Sequence, residues 1–335
     1  MPSLLKLPVL FFILSPSLGW WLGAPALGLL LGAVLIPACE WWLGRPGHGP
    51  LQRWAAQSQP QVFGQSWPRL AAALVLLQSF ALTLIAAGAP LQQLVWLGLS
   101  LGFVAGGTGI VLGHELGHRR HSLDRRLSLA LLTLVGYGHY QIEHNRGHHR
   151  SAATLPDPAT ARVHESLPKF FLRYYPGVWR GACALDRAER GAASGLGLPQ
   201  RLLLIFAGYA LLLALLAGPS ALLLLAVQAL IAQFLVGTID YVEHWGLQRA
   251  MVDSRPQRFG PEHVWDCANR VSELMLFNLP RHAHHHLHPS DPADRLLRVP
   301  QAPQMPTGYA GMVLLASVPP LYRRVMSRRL PPPAS

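Results

Sequence analysis

The chain has 335 residues, 51% of them apolar and only 13% charged, with a positive mean hydropathy of +0.26. That balance excludes an ordinary soluble globular domain and points to a membrane protein. The formal net charge of +12 sits in Lys and Arg beside the apolar runs, where topology and anionic lipid account for it, so nucleic acid is not an expected partner.

In chain order, three stretches are almost free of Asp, Glu, Lys and Arg: 7–39, 70–118 (interrupted only by Glu115) and 202–239. About 20 apolar residues cross a bilayer as a helix, so each stretch is long enough to cross and return, the first only tightly. Each is interrupted near its middle, by Ser15-Pro16-Ser17 with Trp20 and Trp21 close by, by Gly88-Ala89-Pro90, and by Gly218-Pro219-Ser220. The expected architecture is an all-α integral membrane protein of one domain, 1–335, with six transmembrane helices as three hairpins. Its spans are 7–20, 22–39, 70–87, 92–118, 202–217 and 221–240. The hairpin tips carry no charge, whereas Arg45, Arg53, Arg69, Arg119, Arg120, Arg125 and Arg126 lie between hairpins. The positive-inside rule therefore makes 40–69, 119–201 and 241–335 cytoplasmic, together with both termini, in a bacterial inner membrane. Leu127–Ile142, apolar but only 16 residues long, is expected as a short or half-inserted helix.

Cys39, Cys183 and Cys267 are isolated, with no CxxC, and cannot form a four-cysteine iron or zinc centre. The first apolar segment lacks a strongly basic start and a small-residue cleavage site, so it is expected to be retained. Leu330-Pro331-Pro332-Pro333 reads as a frayed tail.

Most of the sixteen histidines fall in four groups just outside the apolar stretches. They are His114 and His118; His144, His148 and His149; His244; and His282, His285 and His286. Helical residues four apart share a face, so His114 with His118, and His144 with His148, can each offer two imidazoles to one metal. His149 points about 100° further round and is expected to reach a second metal. One zinc site takes three or four ligands, so nine imidazoles are too many for one. They suit two first-row transition metals, each with an open position. His121, His139, His284 and His288 have no matching partner and are left out, as are His48, His164 and His263. Glu115, Glu143, Asp240 and Glu243 flank the groups. Each is a candidate either to hold a ligand imidazole or to pair with an arginine. Gly102, Gly106, Gly107, Gly109 and Gly113 permit close helix approach or leave a groove.

Assembled in this order, the residues resemble the membrane-bound non-haem di-iron alkane 1-monooxygenases, relatives of the membrane fatty-acid desaturases. His114-Glu115-Leu116-Gly117-His118 is similar to that family's first histidine box and Glu143-His144-Asn145-Arg146-Gly147-His148-His149 to its second. Tyr241-Val242-Glu243-His244-Trp245-Gly246-Leu247 is similar to its intervening signature, and Arg281-His282-Ala283-His284-His285-His286 to its third box. Weaker likenesses lie at Pro37–Gly44, Pro156–Ala159 and Pro303–Tyr309. The chain departs from the pattern at Arg119-Arg120, where one lysine is usual, at Asp240, where asparagine is common, at Ala283-His284, and over Val264–Asn278.

The resemblance implies two iron ions and dioxygen as co-substrate, with insertion of one oxygen atom into a terminal C–H bond of an alkane or alkyl chain from the bilayer. It also implies an external electron carrier, a rubredoxin or ferredoxin with its reductase, because the chain has neither a dinucleotide-binding glycine motif nor a cysteine set. Rival readings are a desaturase, or a hydroxylase of lipids or aromatic methyl groups, with the same core; an intramembrane zinc protease with Glu115 as base; and a metal transporter or store.

Overall fold

The structure, a computed structural model, describes residues 4–43, 63–191 and 195–331. Helices dominate, and the one sheet among the described residues is a small hairpin pairing Met251–Val252 with Arg255–Pro256. Thirteen helices matter here. The first nine are α1 (Lys6–Trp21), α2 (Leu27–Leu43), α3 (Ser66–Ile85), α4 (Leu91–Gly117), α5 (Ser122–Leu134), α6 (140–151), α7 (Leu167–Arg190), α8 (Leu198–Ala217) and α9 (Pro219–His244). A cap of short helices follows: α10 (Arg270–Met275), α11 (His282–Leu287), α12 (Tyr309–Ala316) and α13 (Pro319–Met326).

Four helices, α3, α4, α8 and α9, are long and apolar enough to cross a membrane, and the chain is an integral membrane protein. α1 and α2 are apolar but shorter. The first tip differs from expectation. Pro16 lies inside α1 and does not end it. A proline has no N–H for the carbonyl four residues back, and the Ser15 hydroxyl donates to that carbonyl, Phe12 O, at 2.7 Å instead. The chain turns later, with Gly23 at φ +68°, so α2 starts at Leu27 and runs on through Glu40 to Leu43. The other two tips fall where expected, at Gly88 (φ +78°) and Gly218 (φ +75°).

What positions the site is the parallel packing of α4 on α9. Side chains on Gly98, Gly102 and Gly106 would bring a Cβ to 2.9, 2.6 and 2.8 Å from Val227, Ile231 and Leu235. The bare glycines let the two backbones close together, and the constant register carries His114 and His244 to the same end of the bundle. Gly107 instead lines an apolar space, where a Cβ would make ordinary contact with the Phe12 ring at 3.6 Å. Inside the bundle Ser17 donates to Gln78 and Ser79 to Gln228, while Thr108 Oγ1 and Gln228 Nε2 are buried without a partner among the described residues. α8 is the least buried of these four helices, with only 11% of its apolar window buried against 72% for α4.

Both α2 and α4 contain one wide turn, at Leu31–Leu35 and Ala105–Ile110. An apolar cavity of about 170 Å³ lies beside them, lined among others by Gly32, Phe103, Gly107, Phe234 and Leu276. α5, the short apolar stretch, ends before Gly136 (φ +71°) and packs along α4 and α3. α7, unanticipated, buries a stripe of Leu167, Phe170, Tyr174, Val178 and Ala182 against α6 and α9.

Candidate metal centre

The nine histidines converge as two groups. His114, His118, His144, His149 and His285 form one, and His148, His244, His282 and His286 the other. Within each group one nitrogen per ring lies within 4.8 Å of all the others. In the first, Nε2 of His114 is 3.0 Å from Nε2 of His285, which is 3.2 Å from Nε2 of His149, itself 3.1 Å from Nε2 of His144. In the second, Nε2 of His286 and His282 are 3.1 Å apart. α4, α6 and α11 feed the first group; α6, α9 and α11 feed the second.

The second box divides differently from expectation: His144 joins His149, not His148. The physical reason is the wide turn at His144–His148. With more residues per turn than an α-helix, it swings the residue five places on back beside the first. The neighbours His148 and His149 then belong to different groups, as do His285 and His286. α11 is an ordinary helix, so His282 and His286, four apart, stay together.

This donor set fits metal ions. Nε2 of His118 and His148, Nδ1 of His149, His282 and His286, and both nitrogens of His244 are buried without a hydrogen-bond partner among the described residues. Burial and neighbouring histidines hold the His144, His149, His282, His285 and His286 rings well below their usual pKa, and His118 at about 4. The rings are therefore neutral near pH 7 and able to bind a transition metal without first losing a proton.

The four flanking carboxylates play different parts. Glu243 accepts from the Tyr309 hydroxyl at 2.6 Å, and its other oxygen lies 3.3 Å from His282 Nε2. Asp240 accepts from Tyr174. Glu115 pairs with Arg119 at 2.8 Å and accepts from the Ala293 amide, tying the first box to the cap. Glu143 packs over Gly147 and Gly181, where burial raises its pKa to about 8. It makes no hydrogen bond to any of the nine rings among the described residues.

Several supporting residues were not singled out from sequence. Asp157 meets His148 Nδ1 at 3.0 Å. Burial alone would depress that ring, but Asp157 overrides it and lifts its pKa to about 9. Asp266 accepts from the Ala283 amide at 2.6 Å, seating the start of α11. Glu40 accepts from the Ala310 and Gly311 amides at the start of α12, which presents Tyr309. Asp157, Glu40 and Tyr309 fall in the weaker likenesses, the only signal that marked them. The excluded histidines stand apart: His121 caps α5 through Leu123 N, His139 meets Trp179 edge-on, and His284 lies tilted against His288. His263 lies tilted against Phe259. His48 lies outside the described residues.

Two openings reach the histidines. A small space of about 30 Å³, lined by His114, His144, His282, Asp240 and Glu243, shares Gly106, Val111, Ile239 and Leu279 with the apolar cavity. On another side His118 forms part of a polar cleft of about 310 Å³ with Arg119, Arg120, Arg125 and Arg146.

Residues 90–315 match the sequence model described as "Fatty acid desaturase". The chain belongs to the fatty acid desaturase family. It is similar to alkane 1-monooxygenases of Pseudomonas putida (39% identical over 245 residues, 71% of this chain and 60% of that protein) and Ectopseudomonas oleovorans (39% over 251 residues, 71% and 62%). Alkane 1-monooxygenase 1 of Pseudomonas aeruginosa is 34% identical over 300 residues, 85% of this chain and 78% of that protein. The first two are thus matched over about three fifths of their own length.

Proposed function

We propose that the protein is a di-iron monooxygenase that inserts one oxygen atom of dioxygen into the terminal C–H bond of an alkane or alkyl chain, giving a primary alcohol. The observation that carries this reading is the meeting of an apolar cavity within the bundle with two groups of buried imidazoles at its end. Iron ions held by His114, His118, His144, His149 and His285, and by His148, His244, His282 and His286, would supply dioxygen reduction and oxygen transfer, with two electrons and two protons carrying the second oxygen away as water.

The chain's own residues do the rest. The cavity takes a hydrocarbon from the bilayer and excludes water. Gly106, Val111, Ile239 and Leu279 narrow the way to the histidines, so a linear chain arrives methyl end first and offers its terminal carbon. Tyr309 and Tyr174 hold the Glu243 and Asp240 carboxylates beside this passage.

Electrons come from an external carrier, a rubredoxin or ferredoxin with its reductase, and the arginine cleft at His118 suits an acidic one. With the arginine-rich face cytoplasmic in a bacterial inner membrane, the short pair α1 and α2 would complete six spans, with both termini inside and 1–335 acting as one catalytic unit.

The test is product analysis of the purified, iron-loaded protein with a carrier, its reductase and linear alkanes. Primary alcohol is expected. The family description favours a second reading, desaturation, so acyl chains are fed in parallel; an alkene without alcohol would replace the first reading with the second.

A further inference from the structure

Among the nine rings, His148 is set apart: among the described residues it is the only one whose Nδ1 meets a carboxylate. Asp157 Oδ2 lies 3.0 Å from it, with the two side chains 0% and 1% exposed. The carboxylate is itself held on two sides. Its Oδ2 accepts from the Thr160 hydroxyl at 2.6 Å, and its Oδ1 from the Ala159 amide at 3.2 Å. Thr160 in turn accepts from the Ala153 amide at 2.9 Å. The loop after the second box is therefore folded around one carboxylate aimed at the rear of one imidazole. With Nδ1–H donating to Asp157, the opposite nitrogen, the partnerless Nε2, is the one a metal would take, displacing any proton it carries. His148 belongs to the group with His244, His282 and His286. Nδ1 of His282 and His286, and both nitrogens of His244, have no partner of any kind among the described residues.

We infer that Asp157 is a positioning residue for the four-histidine site: it fixes the tautomer and ring orientation of His148 and strengthens its donation to the metal there, while the five-histidine site has no equivalent. This deepens the di-iron reading and rests on it. A carboxylate behind a ligand imidazole orients the ring and raises its basicity, and its removal weakens metal binding about 10- to 100-fold. The two sites of this chain are accordingly unequal, and the inequality is written in the loop after the second box rather than in the ligands.

The test uses the full chain in detergent loaded with ⁵⁷Fe(II), read by iron content, Mössbauer spectra and the rate of iron transfer to a ferrous chelator. Asp157→Ala and Asp157→Asn are compared with wild type, and circular dichroism reports folding. Wild type is expected to hold about two irons in two resolved environments. Asp157→Ala should surrender one of them about 10- to 100-fold faster, with the other unchanged. Asp157→Asn, which keeps an acceptor but not the charge, should keep both irons and shift the spectrum of only one. If the alanine variant does not fold, the asparagine variant decides. Unchanged spectra and release rates in the folded variants overturn the inference alone. Equal loss of both irons does so as well, since the effect is then not confined to one site. A wild-type chain that takes up no iron overturns the di-iron reading with it.

Discussion

His148 and His149 are adjacent in the chain, yet their rings serve different groups, His148 with His244 and His149 with His144. A single substitution at either position therefore damages a different site. His148→Ala and His149→Ala are each expected to lower iron content from about two per chain towards one, leaving residual irons with different Mössbauer spectra. Identical residual spectra would mean that the two groups are not separate sites.

Gly107 lines the apolar cavity, and a Cβ there would meet the Phe12 ring at 3.6 Å and no backbone within 4 Å. Gly107→Leu is expected to fold and to shift the product profile to shorter alcohols, with long alkanes losing roughly ten-fold or more in kcat/KM, because overfilling a packed apolar space costs about 1–3 kcal/mol. Competition between short and long alkanes in one vessel measures the shift directly.

The cleft beside His118 places Arg120 and Arg125 on the route to the first group. Reversing both charges, Arg120→Glu with Arg125→Glu, should raise KM for an acidic carrier by roughly ten-fold and flatten its salt dependence. Iron content should stay unchanged. An unaltered salt dependence would move electron entry to another face.

Folded-state pKa values depressed by burial at His118, His144, His149, His282, His285 and His286 make the unfolded chain the stronger proton binder on acidification. Stability of the metal-free protein is therefore expected to fall as pH drops through about 6.5. His148, raised to about 9, acts in the opposite sense: its contribution is fully present below about 6.5 and is lost as pH rises through 9. Melting temperatures of metal-free protein at pH 5, 7 and 9 should show the larger drop on the acid side.

Glu273 is buried among Arg270, Arg281 and Arg298, at 3.2, 3.2 and 2.7 Å. Removing it leaves the buried guanidinium groups of Arg270 and of Arg281, the first residue of the third box, without their carboxylate, and takes a partner from the partly exposed Arg298. Glu273→Ala is expected to cost about 3–5 kcal/mol of stability, read as a lower melting temperature and looser iron.

The nine histidines could be picked out from sequence because ligand spacing on a helix is a local property, and the three hairpins because apolar length and tip residues are local too. What escaped was set by distance or by irregular backbone. The His144/His148 pairing failed because one wide turn cannot be seen in residue types. Pro16 misled because its break is repaired by the hydroxyl of Ser15. Asp157, Asp266, Glu273 and Tyr309 act on partners brought in by tertiary folding, and Val264–Asn278, divergent in sequence, holds two of these four.

The wide turn at Ala105–Ile110 lies between the membrane half of α4 and its histidines. A helix rotates about 100° per residue, so this one turn sets the azimuth of His114 and His118 relative to the seam where the α4 glycines meet α9. Deleting a single residue there would leave a helix of nearly the same length and hydropathy, still seated on Val227 and Ile231, with both imidazoles aimed away from their partners. In this protein the aim of the two histidine groups is a matter of phase, fixed by one residue's worth of extra arc.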